Sequence, residues 1–139
     1  MKKSYSSHIE LDQALLLVTK EFDGDTDYIY RFYESDNDWC FEKLLPGDLY
    51  DSFSMTPAPT YAEVFRWLRE EKGLCVVIQP MYDSLIHKDK NKYVFTINVW
   101  DTNKICYLPE SSEEFAHKFY DTYEDAEEDA LNFILSSLI

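Results

Sequence analysis

The stretch Pro59-Thr60-Tyr61-Ala62-Glu63-Val64-Phe65-Arg66-Trp67-Leu68-Arg69-Glu70-Glu71-Lys72-Gly73-Leu74-Cys75-Val76-Val77-Ile78 decides the fold. Thr60-Tyr61-Ala62-Glu63 has the form of a capping box, in which the threonine oxygen accepts the third amide and the glutamate reaches back. Tyr61, Val64, Phe65 and Leu68 then fall on one helical face, so a helix over residues 60–72 is expected. Gly73 ends it, because a left-handed C′ residue costs nothing without a Cβ. Leu74 to Ile78 is apolar at both parities, the pattern of an interior strand covered on both faces.

Downstream, Tyr93, Phe95, Ile97 and Val99 alternate with Val94, Thr96, Asn98 and Trp100, which predicts a second strand after a polar loop over 81–92. Asp101-Thr102-Asn103 has turn chemistry, so Lys104 to Leu108 is expected to return as a third strand. A last helix starts at Thr122, with Asp125 three residues on. It carries Tyr123, Ala126, Ala130, Phe133, Ile134 and Leu138 inward.

Upstream, Ser7-His8-Ile9-Glu10 reads as another capping box, opening a helix over 8–20 with a stripe of Leu11, Ala14, Leu15 and Val18, widened by Leu16 and Leu17. Asp23-Gly24-Asp25 stops it. Residues 28–34 are β-branched and aromatic, and Asp36-Asn37-Asp38 turns them into the short strand Trp39-Cys40-Phe41, a hairpin. From Leu45-Pro46-Gly47 to Pro57-Ala58-Pro59 no period survives, and a long, mobile, irregular connection is expected. The sum is an α+β fold in one domain over residues 1–139. Its elements run in the order α-ββ-α-ββ(β)-α, with one antiparallel sheet of three to five strands packed against helices, sandwich-like.

The chain has 139 residues, with 13 Lys and Arg against 27 Asp and Glu, for a net charge of −14. That disfavours direct binding to phosphate backbones and to anionic lipid. Aromatics make up 17% of the residues and hydrophobics 45%, too much burial-seeking surface for a disordered acidic tail. Cys40, Cys75 and Cys106 are odd in number and widely spaced, which reads as reduced thiols in a cytoplasm. The apolar run Ala14 to Val18 is too short for a signal peptide, and no window approaches a membrane span.

Candidate sites are few. Asp23, Asp25, Asp27 and Glu34 have the spacing of a calcium loop, but Tyr28 stands where that loop needs glycine, and a solvated turn is the reading preferred. His8, His87 and His117 are singletons without zinc spacing, and the cysteines lie in apolar or edge-strand contexts that suit inert thiols. Gly24, Gly47 and Gly73 are the only glycines, so no phosphate-cradling loop exists. No catalytic residue, cofactor site or metal site is assigned. Arg66, Trp67, Arg69 and Glu70 lie opposite or oblique to the apolar face of the second helix and are candidate protein-contact residues. The bland alternative makes Trp67 a core-edge side chain covered by an arginine stem.

Leu44-Leu45-Pro46-Gly47-Asp48-Leu49, the stretch Pro59 to Lys72, Tyr93-Val94-Phe95 and Phe119-Tyr120-Asp121-Thr122-Tyr123-Glu124-Asp125-Ala126 together resemble a group of small uncharacterised proteins of bacterial genomes, phages and integrated elements. The resemblance implies a mobile-element-type origin and a compact α/β sandwich, and it brings no reaction with it. The expected function is therefore protein binding without catalysis, by a monomer or homodimer with an unidentified protein partner. The alternatives are an acidic decoy for a basic nucleic-acid-binding protein, since Glu110 to Asp129 holds nine acids against Lys118, and an unrecognised enzyme.

Overall fold

The computed structural model describes residues 7–81, 92–99, 106–107 and 119–139. Its elements are α1 (Leu11–Thr19), β1 (Tyr28–Tyr33), β2 (Asp38–Lys43), β3 (Met55–Pro57), α2 (Tyr61–Glu71), β4 (Leu74–Met81), β5 (Lys92–Val99), β6 (Cys106–Tyr107) and α3 (Tyr123–Ser137). The class is α+β, as expected. The strands form two antiparallel three-stranded sheets, β2-β1-β3 and β4-β5-β6, where one sheet was anticipated. Two compact units result, Met1–Val64 and Phe65–Ile139, divided inside α2.

In the first unit β1 is the central strand. It pairs with β2 from Tyr28↔Lys43 to Tyr33↔Asp38, across a turn closed by Asn37 at φ 49°, where asparagine is among the few side-chain-bearing residues that settle readily. On its other edge β1 pairs with β3, Ile29↔Pro57 to Arg31↔Met55. That strand lies inside the segment expected to be irregular. Its proline sits at an end of the pairing, where a missing N–H is tolerated, and Ala58 N–H and Ser54 O extend the contact to Tyr28 O and Phe32 N–H.

The first helix starts three residues later than its sequence pattern predicts. Ser7 is not its cap: Ile9 N–H donates to Pro59 O and Tyr61 N–H to Ser7 O, so residues 7–9 run extended beside 59–61, with a bridge at His8↔Thr60. Glu10 caps α1 instead, its N–H donating to Gln13 Oε1 at 3.0 Å. The helix ends where expected, at Thr19 with Lys20 as C-cap, and Glu21 at φ 64° leads out of it ahead of Asp23-Gly24-Asp25. Ala14 and Leu17 are buried, whereas Leu15, Leu16 and Val18 of the expected stripe face outward. Tyr30 is fully buried, and its hydroxyl donates to Ile9 O at 2.7 Å, joining the central strand to the segment that precedes α1.

The capping box of α2 is present in both directions: Glu63 N–H donates to Thr60 Oγ1 at 3.1 Å and Thr60 N–H to Glu63 Oε1 at 2.8 Å. Gly73, at φ 67°, terminates the helix.

In the second unit β5 pairs with β4 along its whole length, Leu74↔Val99 to Met81↔Lys92. Its other edge is shared by β6, at Ile97↔Tyr107, and by an isolated bridge in which Tyr93 and Tyr120 exchange two N–H···O bonds of 2.9 Å. Among the described strands β4 is therefore at an edge, and Cys75 to Ile78 are half-buried where coverage on both faces was expected. Helix α3, capped by Thr122 Oγ1 accepting from Asp125 N–H at 3.0 Å, packs on β5 and β4. Phe133 meets Phe95 at 6.2 Å between ring centroids. Ala126, Ala130, Phe133 and Ile134 are inward as expected, joined by Leu131 and Leu135, but Tyr123 is exposed and Leu138 half-exposed. The expected turn at Asp101-Thr102-Asn103 and the 82–91 part of the polar loop lie outside the described residues. No helix among those described is long and apolar enough to cross a membrane.

Candidate functional site

The four residues singled out on α2 do not form one surface. Arg66 and Glu70 are exposed, four apart, and joined by an ion pair of 3.0 Å, whose hydrogen bond raises the Arg66 pKa. Arg69 is also exposed. Trp67, about 100° around the helix from Arg66, is only 5% accessible. The Lys72 ammonium lies 5.4 Å from its ring centroid, so the cation over the ring is a lysine rather than an arginine.

Large apolar side chains reach solvent instead between β2 and β3, in the first unit. Leu45-Pro46-Gly47-Asp48 is a tight turn, with Asp48 N–H donating to Leu45 O at 3.0 Å, Leu45 N–H to Asp48 Oδ2 at 2.9 Å, and Gly47 at φ 89°. Proline followed by a positive-φ glycine is the composition of a type II turn. Asp51 organises the next turn. Its Oδ1 accepts Phe53 N–H and its Oδ2 accepts Ser54 Oγ–H, each at 3.0 Å, while its carbonyl accepts Met55 N–H at 2.8 Å. Burial and the Asp51 charge push the Tyr50 phenol above its ordinary pKa, and it donates to Met55 O at 3.2 Å. These bonds hold Leu49 at 87% and Phe53 at 98% exposure, with Leu45 and Tyr50 also exposed. Apart from β3 the stretch is irregular, as expected, and its turns are closed by local hydrogen bonds.

Titratable groups elsewhere read as structural. His8 is buried against Tyr28 and Phe41, at 4.7 and 5.0 Å between ring centroids. Burial lowers its pKa, opposed by the Glu63 carboxylate, which favours a neutral imidazole within an aromatic cluster. Arg31, Tyr33 and Glu42 form a half-buried cross-strand group, in which Tyr33 Oη donates to Glu42 and the Arg31 guanidinium lies 3.4 Å from both partners. Cys40 and Cys75 are free, half-buried thiols. The side chain of Cys106, along with His87 and His117, lies outside what is described.

In the second unit Phe119, Tyr120, Asp121, Asp125, Glu128 and Asp129 line a depression of about 290 Å³. Asp121 is ion-paired with Lys92. Elsewhere on α3, burial and the Glu124 charge push the Glu127 carboxyl up to about 7. Among the described residues no group of three or more His, Cys, Asp or Glu is placed to hold a metal ion, the Asp23 to Glu34 segment included.

Compared with known proteins, the chain matches no protein-family model, no curated protein and no solved structure.

Sequence reasoning missed Leu49 and Phe53 as surface residues. The available signal was four large apolar residues inside a Pro-, Gly-, Asp- and Ser-rich stretch with no period, where no regular face exists to bury them.

Proposed function

We propose that this chain is a small non-enzymatic protein of phage or mobile-element type that binds another protein, acting in the cytoplasm as a monomer or homodimer. The observation that carries this reading is the group of exposed Leu45, Leu49, Tyr50 and Phe53 held out on hydrogen-bonded turns. Large apolar side chains held this far into water are the material from which interaction surfaces are built. The sequence resemblance supports the origin, and the free thiols of Cys40 and Cys75 support a reducing compartment. The test is capture of proteins on the immobilised chain, followed by rebuilding the complex from purified components. A stoichiometric complex is the expected result; captured proteins that never rebuild would sink the reading.

The acidic depression on the second unit favours a second reading, a decoy for a basic nucleic-acid-binding protein. One helix offers one row of charge at 1.5 Å rise per residue, whereas B-DNA presents two rows with about 3.4 Å between phosphates along each strand. No displacement of DNA from basic binding proteins at low salt is therefore expected. Tight displacement lost when Glu124, Glu127 and Glu128 become Gln would reverse the order of the two readings.

A further inference from the structure

We propose that the outer edge of β4 pairs antiparallel with β4 of a second copy of this chain, joining the two β4-β5-β6 sheets into one across a two-fold axis. The inference selects the homodimer over the monomer, and it does not depend on whether a different protein is also bound.

Backbone direction identifies the open groups. Tyr93 exchanges both its hydrogen bonds with Tyr120, on the side of β5 away from β4. Groups alternate along a strand, so Val94, Thr96 and Asn98 turn theirs toward β4. Their partners Gln79, Val77 and Cys75 are the hydrogen-bonded positions of that ladder, and Leu74, Val76, Ile78 and Pro80 direct their backbone outward. Pro80, with no N–H to give, fits such a position. Among the described residues no hydrogen bond reaches the outer N–H or C=O of Val76 or Ile78.

The edges of the other sheet are guarded. On β3, Met55 N–H donates to Asp51 O, Met55 O accepts from Tyr50 Oη, and Pro57 has no N–H. On β2, Trp39 N–H donates to Asp38 Oδ1, and Asp38, Glu42 and Lys43 bring charge to the strand. Such features block strand addition. Leu74 to Met81 holds no charged residue, in a chain of net charge −14, so two copies can meet along β4 without opposing like charges.

Cys75 to Ile78 are apolar at both parities and half-buried, because β4 has a described neighbour on one flank only. A second strand would cover the other flank on both faces, the surroundings that this composition suits. It must be uncharged and apolar at both parities, and β4 is itself such a strand. In the antiparallel register centred on Val76, Val76 opposes its own copy and Leu74 opposes Ile78, so each outward N–H from 74 to 78 meets an outward C=O. Pro80 then falls beyond Leu74 of the second copy.

The experiment is sedimentation equilibrium of the full chain over a range of concentration and salt, with amide hydrogen exchange at the two concentration extremes. A reversible dimer that tightens with added salt is expected, because screening relieves the repulsion between two chains of −14. The Val76 and Ile78 amides should be protected at high concentration and exchange quickly on dilution, whereas Val77 and Gln79 should be protected at both. Val76→Pro removes an outward donor and no bond to β5, and should weaken the dimer about tenfold or more, since each dimer loses two donors. Ile78→Lys should do the same by placing a charge on the edge, which keeps the test decisive if the proline variant does not fold.

A monomer at every concentration would overturn the proposal. A dimer that salt dissociates, that both variants leave intact, or that leaves Val76 and Ile78 unprotected would overturn it in favour of a contact elsewhere. Protection of these two amides only by a captured protein would overturn it in favour of a strand from that protein. A monomeric chain that still rebuilds a complex with a captured protein would remove this inference and keep the protein-binding reading. A Val76-dependent dimer for which no captured protein rebuilds would keep this inference and remove that reading.

Discussion

Tyr61 Oη donates to Gln13 Oε1 at 2.9 Å, and the same oxygen accepts the N–H of Glu10 at 3.0 Å. One buried amide therefore caps α1 and ties it to the first turn of α2, 48 residues away in sequence. Tyr61→Phe removes one of the two bonds and should cost about 1 kcal/mol. Gln13→Ala leaves the tyrosine hydroxyl and the cap amide without this acceptor and should cost about 1 to 3 kcal/mol. Urea unfolding of both single variants and the double should show that the two losses do not add.

Leu68→Ala should cost about 2 to 5 kcal/mol, because a fully buried leucine loses its transfer free energy and leaves a cavity. A thermal melt reads this directly, and an unchanged midpoint would show that this face of α2 is not in a core.

Helix ends make a sharper pair. Thr60→Ala should cost about 1 kcal/mol through loss of the Oγ1 acceptor for Glu63 N–H. Gly73 sits at φ 67°, so Gly73→Val should destabilise more than Gly73→Asn. Equal melting temperatures for the two would contradict a left-handed helix end.

Acid and alkaline limbs of the stability profile have separate sources. His8 has a folded pKa below its ordinary 6.5, so the unfolded chain takes up the proton first. Its contribution is full above about 6.5 and is lost as pH falls through the lowered folded value. Glu127 is the reverse: with a folded pKa of about 7 against 4.5, its contribution is present below 4.5 and lost as pH rises through about 7. Glu127→Gln should therefore melt higher than the parent at about pH 8, with the gain shrinking toward pH 4.5. His8→Gln should flatten the acid limb instead. Chemical denaturation across this range checks both, and parallel pH profiles for parent and Glu127→Gln would refute the assignment to Glu127.

What the sequence determined by itself was local. The Thr60 and Thr122 caps, the Gly73 stop, the β1–β2 hairpin with Asn37 in its turn and the alternation of β5 all depend on interactions within a few residues, which a linear pattern records. The α+β class follows from their order. Tertiary structure alone decided which of several equivalent local choices prevailed. Ser7-His8-Ile9-Glu10 satisfies capping grammar, yet Ser7 and Ile9 trade their backbone groups with Tyr61 and Pro59, and the cap moves to Glu10. Residues 55–57 have no strand pattern and become β3 because β1 offers a free edge beside them. Trp67 lies oblique to the apolar face and is buried all the same, and β4 is apolar at both parities yet lies at an edge among the described strands. Strand pairing and burial are set by partners distant in sequence, and the two-residue and 3.6-residue periods show which way a side chain points without showing what stands opposite it. The exposure of Phe53 is the same kind of fact: nothing in the segment itself states whether another element will cover it, and only the folded chain shows that Asp51 holds it in water.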